Sequence, residues 1–211
     1  MRGRFITFEG IEGVGKSTQV QLAAEHLRAR GIDPIRTREP GGTPLAEKLR
    51  ALVLDPQHAP VGAAAELLML FAARASHVET VIRPGLERGR WILCDRFTDT
   101  TEAYQGGGRG MNADWIRRLA QIAHPRLMPD LTLLFDAPAA MALARQRDRG
   151  AGRDRIEAED EAFFERARQA YLAIAAREPA RLKIIDATAS EAAVAGAVAN
   201  AIDAAFPLTG S

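Results

Sequence analysis

The stretch Phe5-Ile-Thr-Phe-Glu-Gly-Ile-Glu-Gly-Val-Gly-Lys-Ser-Thr18 leaves the chain little choice about how it begins. Gly10-x4-Gly15-Lys16-Ser17 has the spacing of a loop that cradles phosphate. An apolar, β-rich run from Phe5 to Phe8 precedes it. An amphipathic helix follows, with Val20, Ala23, Ala24 and Leu27 on one face and a stop at Gly31. Gly10, Gly13 and Gly15 let the backbone curl so that its N–H groups point at phosphate oxygens. The helix N-terminus adds about half a positive charge at the same spot. Lys16 is placed to neutralise the β- and γ-phosphates of a nucleotide and Ser17 to hold Mg²⁺. The alternative is an ordinary glycine-rich strand-to-helix turn, and the complete strand–loop–helix context argues against it.

A chain of 211 residues fits one domain, 1–211, and is long enough to bury a real core. Its net charge of +1 gives no global field for nucleic acid or a membrane surface. Cys94 is the only cysteine, which excludes an intramolecular disulfide and a cysteine-rich metal site, and its apolar strand context predicts a buried, inert thiol. The four histidines show no ligand spacing, no signal peptide is evident, and no apolar run reaches membrane-spanning length. A cytoplasmic enzyme with no stable nucleic-acid partner and no membrane association is expected.

Short apolar runs alternate with longer helical patterns. Strands are expected at Arg4–Phe8, Pro34–Thr37, Trp91–Cys94, Leu131–Phe135 and Leu182–Ile185. Helices are expected at Ser17–Arg30, Pro44–Leu54, Ala63–Glu87, Ala113–His124, Ala139–Arg149, Asp160–Arg177 and Ser190–Phe206. Repeated βα units predict an α/β fold: a five-stranded parallel sheet with helices on both faces. Gly106-Gly-Gly-Arg-Gly110 reads as a flexible loop, and Arg145–Arg155, five arginines interrupted by Gly150 and Gly152, as a segment that moves. The strand ends carry charge at Arg38, Asp95-Arg96, Asp136 and Asp186, the edge where open α/β sheets bind ligands.

Trp91-Ile-Leu-Cys-Asp95 reads as a strand ending in a metal-binding acid, with pairing to Arg96 as the alternative. The residue after Asp95 is an arginine, where motor ATPases commonly place a water-activating glutamate. That favours transfer to a phosphorylated acceptor over hydrolysis. The Arg145–Arg155 segment supplies planar forks that match phosphate oxygens, with glycines that permit closure; a solvated face paired with its own acids is the alternative.

Phe8-Glu-Gly-Ile-Glu-Gly-Val-Gly-Lys-Ser-Thr18, Arg38-Glu-Pro-Gly-Gly-Thr43, Phe71-Ala-Ala-Arg74, Asp95-Arg-Phe97, Ala103-Tyr-Gln-Gly-Gly-Gly-Arg-Gly110 and Asp154-Arg-Ile-Glu157 together resemble the bacterial thymidylate kinase family. The resemblance runs from the first strand to Asp186-Ala-Thr188. It implies a P-loop NTPase fold, homodimers, and transfer of the γ-phosphate of ATP to dTMP with Mg²⁺.

Residue by residue, the resemblance implies that Gly10, Ile11, Glu12, Gly13, Val14, Gly15, Lys16, Ser17 and Thr18 bind ATP, with Arg145 near the adenine. Ser17 and Asp95 hold the metal. Glu12 contacts the sugar 3′-hydroxyl, Arg38 and Arg96 clamp the dTMP phosphate, and Arg74 reads the thymine. Thr100, Thr101 and Gln105 make polar contacts, and Tyr104 packs under the sugar. The catalytic set is Lys16, Glu12, Arg96, Arg149, Arg153 and Arg155, the last three in a mobile lid over 145–157. Some members carry an arginine in the P-loop immediately after the acid. Here that position is Gly13, so the chain resembles the lid-arginine subtype, with Arg155 as the expected charge-stabilising group.

The family's thymine-stacking aromatic usually sits four residues before the base-reading arginine. That position is Leu70; Phe71, three before Arg74, either stacks on the base or belongs to the core. Other nucleotide kinases, GTPase switches and motor ATPases are the competing classes. An unphosphorylated nucleoside would not need two arginines aimed at an acceptor phosphate. The chain lacks an Asn-Lys-x-Asp guanine motif, and it has Asp95-Arg96 where a motor has Asp-Glu.

Overall fold

The five apolar runs form five strands, each extending one residue beyond the expected C-terminal end. They are β1 (Phe5–Glu9), β2 (Ile35–Arg38), β3 (Ile92–Asp95), β4 (Leu131–Asp136) and β5 (Leu182–Asp186). The extra residue matters, because Glu9, Arg38, Asp95, Asp136 and Asp186 are thereby held by the sheet itself. The structure is a computed structural model and describes residues 3–58, 60–147 and 154–207.

The strand order is β2-β3-β1-β4-β5, with every neighbouring pair parallel. From β1 the chain crosses to the edge strand β2, returns to β3 beside β1, and then crosses over to β4 and β5 on the other side, so β1 lies at the point where the winding reverses, and the loop after it opens into the crevice there. The register aligns Phe8 and Arg38 with Asp95, and Asp136 with Asp186, which brings the polar strand ends to one edge.

Helices α1 (Lys16–Ala29), α2 (Pro44–Leu54), α3 (Ala63–His77), α4 (Arg83–Glu87), α5 (Thr98–Thr101), α6 (Ala113–Ala123), α7 (Ala139–Arg147), α8 (Glu161–Arg177) and α9 (Glu191–Ala205) cover the sheet. Several begin with a side chain that satisfies a free backbone N–H: Thr43 accepts from Ala46, Asp160 from Phe163 and Ser190 from Ala193. Alternation along the strands divides the core between two faces. Ile6, Phe8 and Leu93 pack with α1, α8 and α9, whereas Phe5, Ile92 and Cys94 pack with Val78, Ile82 and Leu86. Cys94 is buried, and burial together with Glu39 and Asp95 pushes its thiol well above the usual range.

The helix expected over Ala63–Glu87 is present over its whole length, as α3 to His77, a wider π-helical turn over Val78–Ile82, and α4, whose first turn carries Pro84. A proline there has no N–H to give the preceding turn. One expectation is corrected. The stretch 106–110 is no loose loop through Gly108. Glu102–Gly108 is a π-helical segment seated on α8, where a β-carbon on Gly107 would overlap Ala170 and one on Gly108 the Phe163 ring. These glycines serve close packing. Within the Arg145–Arg155 segment, Arg149, Gly150, Gly152 and Arg153 lie outside the described residues.

Candidate active site

Between β1 and α1 the backbone takes positive φ at Gly10, Gly13 and Gly15 (134°, 81° and 84°), the curl that turns successive N–H groups inward. At Gly13 no side chain fits, because a β-carbon would overlap the carbonyl of Ala142 on α7. The packing of α7 thus explains why this position carries no arginine. Lys16 is buried, and its Nζ donates to the Ile11 carbonyl at 2.7 Å. Burial and the charge of Arg96 lower its amine to about 8, against the opposing pull of Glu12 and Asp95. Ser17 Oγ donates to Asp95 Oδ2 at 2.8 Å. Ile11 itself is core and does not line the cleft.

A cleft of ≈ 580 Å³ runs from this loop to Arg145, Ala187, Ala189, Glu191 and Val194. Arg145 Nη1 donates to the Ala187 carbonyl at 2.7 Å, which fixes its guanidinium along the far wall. A second, smaller chamber of ≈ 80 Å³ is lined by Leu70, Arg74, Phe97, Thr100, Thr101, Tyr104 and Gln105, among others. Glu12, Glu39, Arg50, Arg96 and Asp154 border both spaces. A group passing between two bound molecules would pass there.

Arg96 dominates the junction. It follows β3 with φ 72°, uncommon for a residue with a β-carbon. Its guanidinium donates to the Gly10 carbonyl at 2.9 Å, ion-pairs with Glu12 and lies 5.0 Å over the Tyr104 ring. Burial opposes its charge, but Glu12, Tyr104 and Tyr171 outweigh that and hold its pKa well above the usual range. Burial likewise opposes Glu12's charge, and Arg96, Lys16 and Arg50 together keep the carboxyl below its ordinary value. Arg38 is exposed on the cleft wall and pairs with Glu47 at 2.9 Å.

In the second chamber Arg74 is buried, with Nε donating to Glu39 at 2.6 Å and Nη2 to Phe97 O and Thr101 Oγ1. Its Nη1 has no partner among the described residues, and neither does the carbonyl oxygen of Gln105. Phe71 does not reach this chamber. It packs with Leu67 and Ile116 and lies under the Arg74 guanidinium at 4.8 Å, which is the core alternative for this residue, and Leu70 is the wall residue. Four residues before Arg74, not three, is the helical position that faces the chamber.

Arg155 lies apart from the cleft. Its Nε donates to the Val53 carbonyl at 2.8 Å and its Nη2 pairs with Glu66, outside the lining of the cleft. Arg149 and Arg153 lie outside the described residues. Arg50, which no motif marks, lines both spaces and donates to Pro40 O at 3.0 Å. It stands seven residues beyond the Thr43 cap, and only the seating of α2 turns it inward. Glu9 belongs to the Phe8–Thr18 motif but receives no role from it: at the end of β1 its buried carboxyl accepts from Phe97 N (2.7 Å), Thr100 Oγ1 (2.5 Å) and Tyr171 OH (3.0 Å).

Ser17 and Asp95 suit a hard divalent cation, since both offer oxygen at the phosphate loop. Among the described residues no group of three or more His, Cys, Asp or Glu is placed to hold an ion, so a cation at Ser17 would take most of its shell from phosphate and water. No described helix is long and apolar enough to cross a membrane.

The family profile described as Thymidylate kinase matches residues 8–198. Thymidylate kinase of Chromohalobacter salexigens is 54% identical over 198 residues, 93% of each chain. That of Pseudomonas putida (strain W619) is 54% identical over 203 residues, 96% of each chain. Among solved structures, thymidylate kinase from Ehrlichia chaffeensis superposes with a TM-score of 0.71 at 34% identity, covering 88% of this chain and 93% of that one.

Proposed function

The chain belongs to the thymidylate kinase family, and on that premise we propose that it transfers the γ-phosphoryl group of ATP to dTMP, giving dTDP, with Mg²⁺ as the metal. The observation that carries the choice of acceptor is a pair of buried polar atoms, without partners among the described residues, on side chains that line the second chamber. Arg74 Nη1 is a donor and Gln105 Oε1 an acceptor. Thymine presents the complement, an acceptor at O4 beside a donor at N3–H. Cytosine presents the opposite polarity at both atoms and would leave the chamber's groups buried and unpaired, the most effective form of rejection a polar site has.

In this reading ATP lies along the larger cleft, its adenine toward Arg145 and its phosphates on the backbone N–H groups of the loop. Ser17 and Asp95 would hold Mg²⁺, which would offset the negative charge of the nucleotide phosphates. The dTMP phosphate enters the junction, where Arg38, Arg50 and Arg96 are the available cations. A phosphate monoester with a second pKa of about 6 is already ionised at neutral pH, so its oxygen attacks without a general base. Catalysis then rests on alignment and on charge stabilisation by Lys16, Arg96 and Arg50, together with Arg149 and Arg153. Glu12, already an acceptor for Arg96, is the acceptor for the sugar 3′-hydroxyl. Tyr104, with Arg96 against its face, forms the floor under the sugar, and Thr100 and Thr101 border it.

We also propose a single domain working as a homodimer in the cytoplasm. Exposed Leu68 on α3 and Trp115 and Ile122 on the adjoining α6 support the dimer; sedimentation velocity tests it. Coupled ADP release with dTMP, dUMP, dCMP and no acceptor tests the activity. Turnover is expected with dTMP, less with dUMP and little with dCMP; equal turnover without any acceptor would reject the kinase reading.

A further inference from the structure

We propose that Glu66 is a positioning residue that sets the polarity with which the second chamber reads a pyrimidine, by fixing the orientation of the Gln105 amide. The inference rests on the reading of that chamber as the dTMP site. Glu66 stands in the first turn of α3 with 0% exposure. Its carboxylate meets four donors: Gln105 Nε2 at 2.7 Å, Arg109 Nε at 2.7 Å, Arg109 Nη2 at 3.1 Å, and Arg155 Nη2. Burial opposes its charge, but the bonds from Arg109, Gln105 and Arg155 hold the carboxyl below its ordinary range.

A glutamine amide is nearly symmetric in shape and opposite in polarity at its two ends. Turned by 180° it fills the same space and reads the opposite pattern. An ionised carboxylate only accepts, so it admits one of the two orientations: Gln105, a wall residue of the chamber, must give it the NH₂ and keep the carbonyl oxygen free for another donor. That is the oxygen without a partner among the described residues. Glu66 makes no contact with the base in this arrangement. It acts through Gln105, selecting for the N3–H of thymine or uracil against the bare N3 of cytosine. The two arginines on the same carboxylate keep it ionised and therefore keep the amide from turning.

The test is the ratio of kcat/KM for dTMP to that for dCMP, measured on one preparation of each variant so that the folded fraction cancels. In Glu66→Gln the neighbour of Gln105 offers both a donor and an acceptor, the amide is free to turn, and the ratio should fall about 10-fold or more. KM for ATP should stay near wild type. In the exchange variant Glu66→Gln with Gln105→Glu, the carboxylate at 105 is acceptor-only again, and the ratio should recover to near the wild-type value. If Glu66→Gln alone does not fold, the exchange variant carries the test, because it keeps a negative charge in the cluster. A ratio unchanged in Glu66→Gln, with dTMP and dCMP efficiencies falling together, overturns the proposal and leaves Glu66 as an anchor for its arginines. A collapsed ratio in the exchange variant also overturns it. A wild-type enzyme that does not phosphorylate dTMP at all would instead reject the reading of the chamber.

Discussion

Arg155 ion-pairs with Glu66 while its own N–H and its Nε bond to the carbonyls of Leu54 and Val53, so the base of the arginine-rich segment is tied to α2 and α3. The guanidinium is spent on structure. Arg155→Ala should therefore lower stability by about 1–3 kcal/mol, the cost of leaving a buried acceptor underpaired. Turnover should fall by less than about 10-fold, far short of what a transition-state arginine supplies. Urea denaturation and steady-state rates on the same protein separate the two. A 10³-fold loss of kcat at unchanged stability would return Arg155 to the catalytic set.

Arg50 occupies the junction that Arg155 does not. Arg50→Met keeps much of the apolar stem and removes the charge. If the group acts on the transferring phosphoryl, kcat should drop roughly 10²- to 10³-fold with smaller changes in either Michaelis constant, the pattern of an interaction made in the transition state. A rise in KM for dTMP at constant kcat would reassign Arg50 to simple acceptor binding.

Gly106 and Gly107 are neighbours with opposite surroundings. A β-carbon at 107 would overlap Ala170 on α8, whereas at 106 its nearest neighbour is Ile116 Cδ1 at 3.4 Å. Gly107→Ala should cost about 1–3 kcal/mol through overpacking. Gly106→Ala, in a helical segment without that obstacle, should be neutral or stabilising by up to about 1 kcal/mol. Thermal melts of the two variants decide; equal melts would mean that the segment is a loose loop after all.

Glu9 carries a pH dependence. Burial, then the charge of Asp99, raises its carboxyl to about 7, against the lowering effects of Thr100, Arg96 and Tyr171. Folding thus favours the protonated form. The folded state binds more protons than the unfolded chain between about pH 4.5 and 7, and stability from this group is lost as pH rises through that window. The loss is on the order of 3 kcal/mol at most. Glu9→Gln cannot ionise, so going from pH 5 to pH 8 it should lose less stability than the wild type. Parallel stability curves for the two proteins would dismiss the effect.

The order of elements, the parallel sheet and the phosphate loop were legible because each rests on local pattern: apolar runs of strand length, a 3.6-residue stripe after the loop, and glycines whose φ only glycine tolerates. Lys16, Ser17, Asp95 and Arg96 follow from the same logic, since strand ends converge wherever the sheet is parallel. Local pattern could not separate Leu70 from Phe71, because both lie within one helical turn of Arg74 and only the seating of α3 decides which faces the chamber. It read Gly107 and Gly108 as freedom, although α8 makes them contact points. Above all it could not count the partners of a charge. Whether Arg155 stabilises a phosphoryl group or a buried Glu66, and whether Arg50 is a solvated surface charge or the cation between two bound nucleotides, depends on which side chains the fold brings alongside, as Glu66 reaches Arg155 from 89 residues away. Desolvation and pairing are properties of that assembled neighbourhood, and no single stretch of the chain contains them.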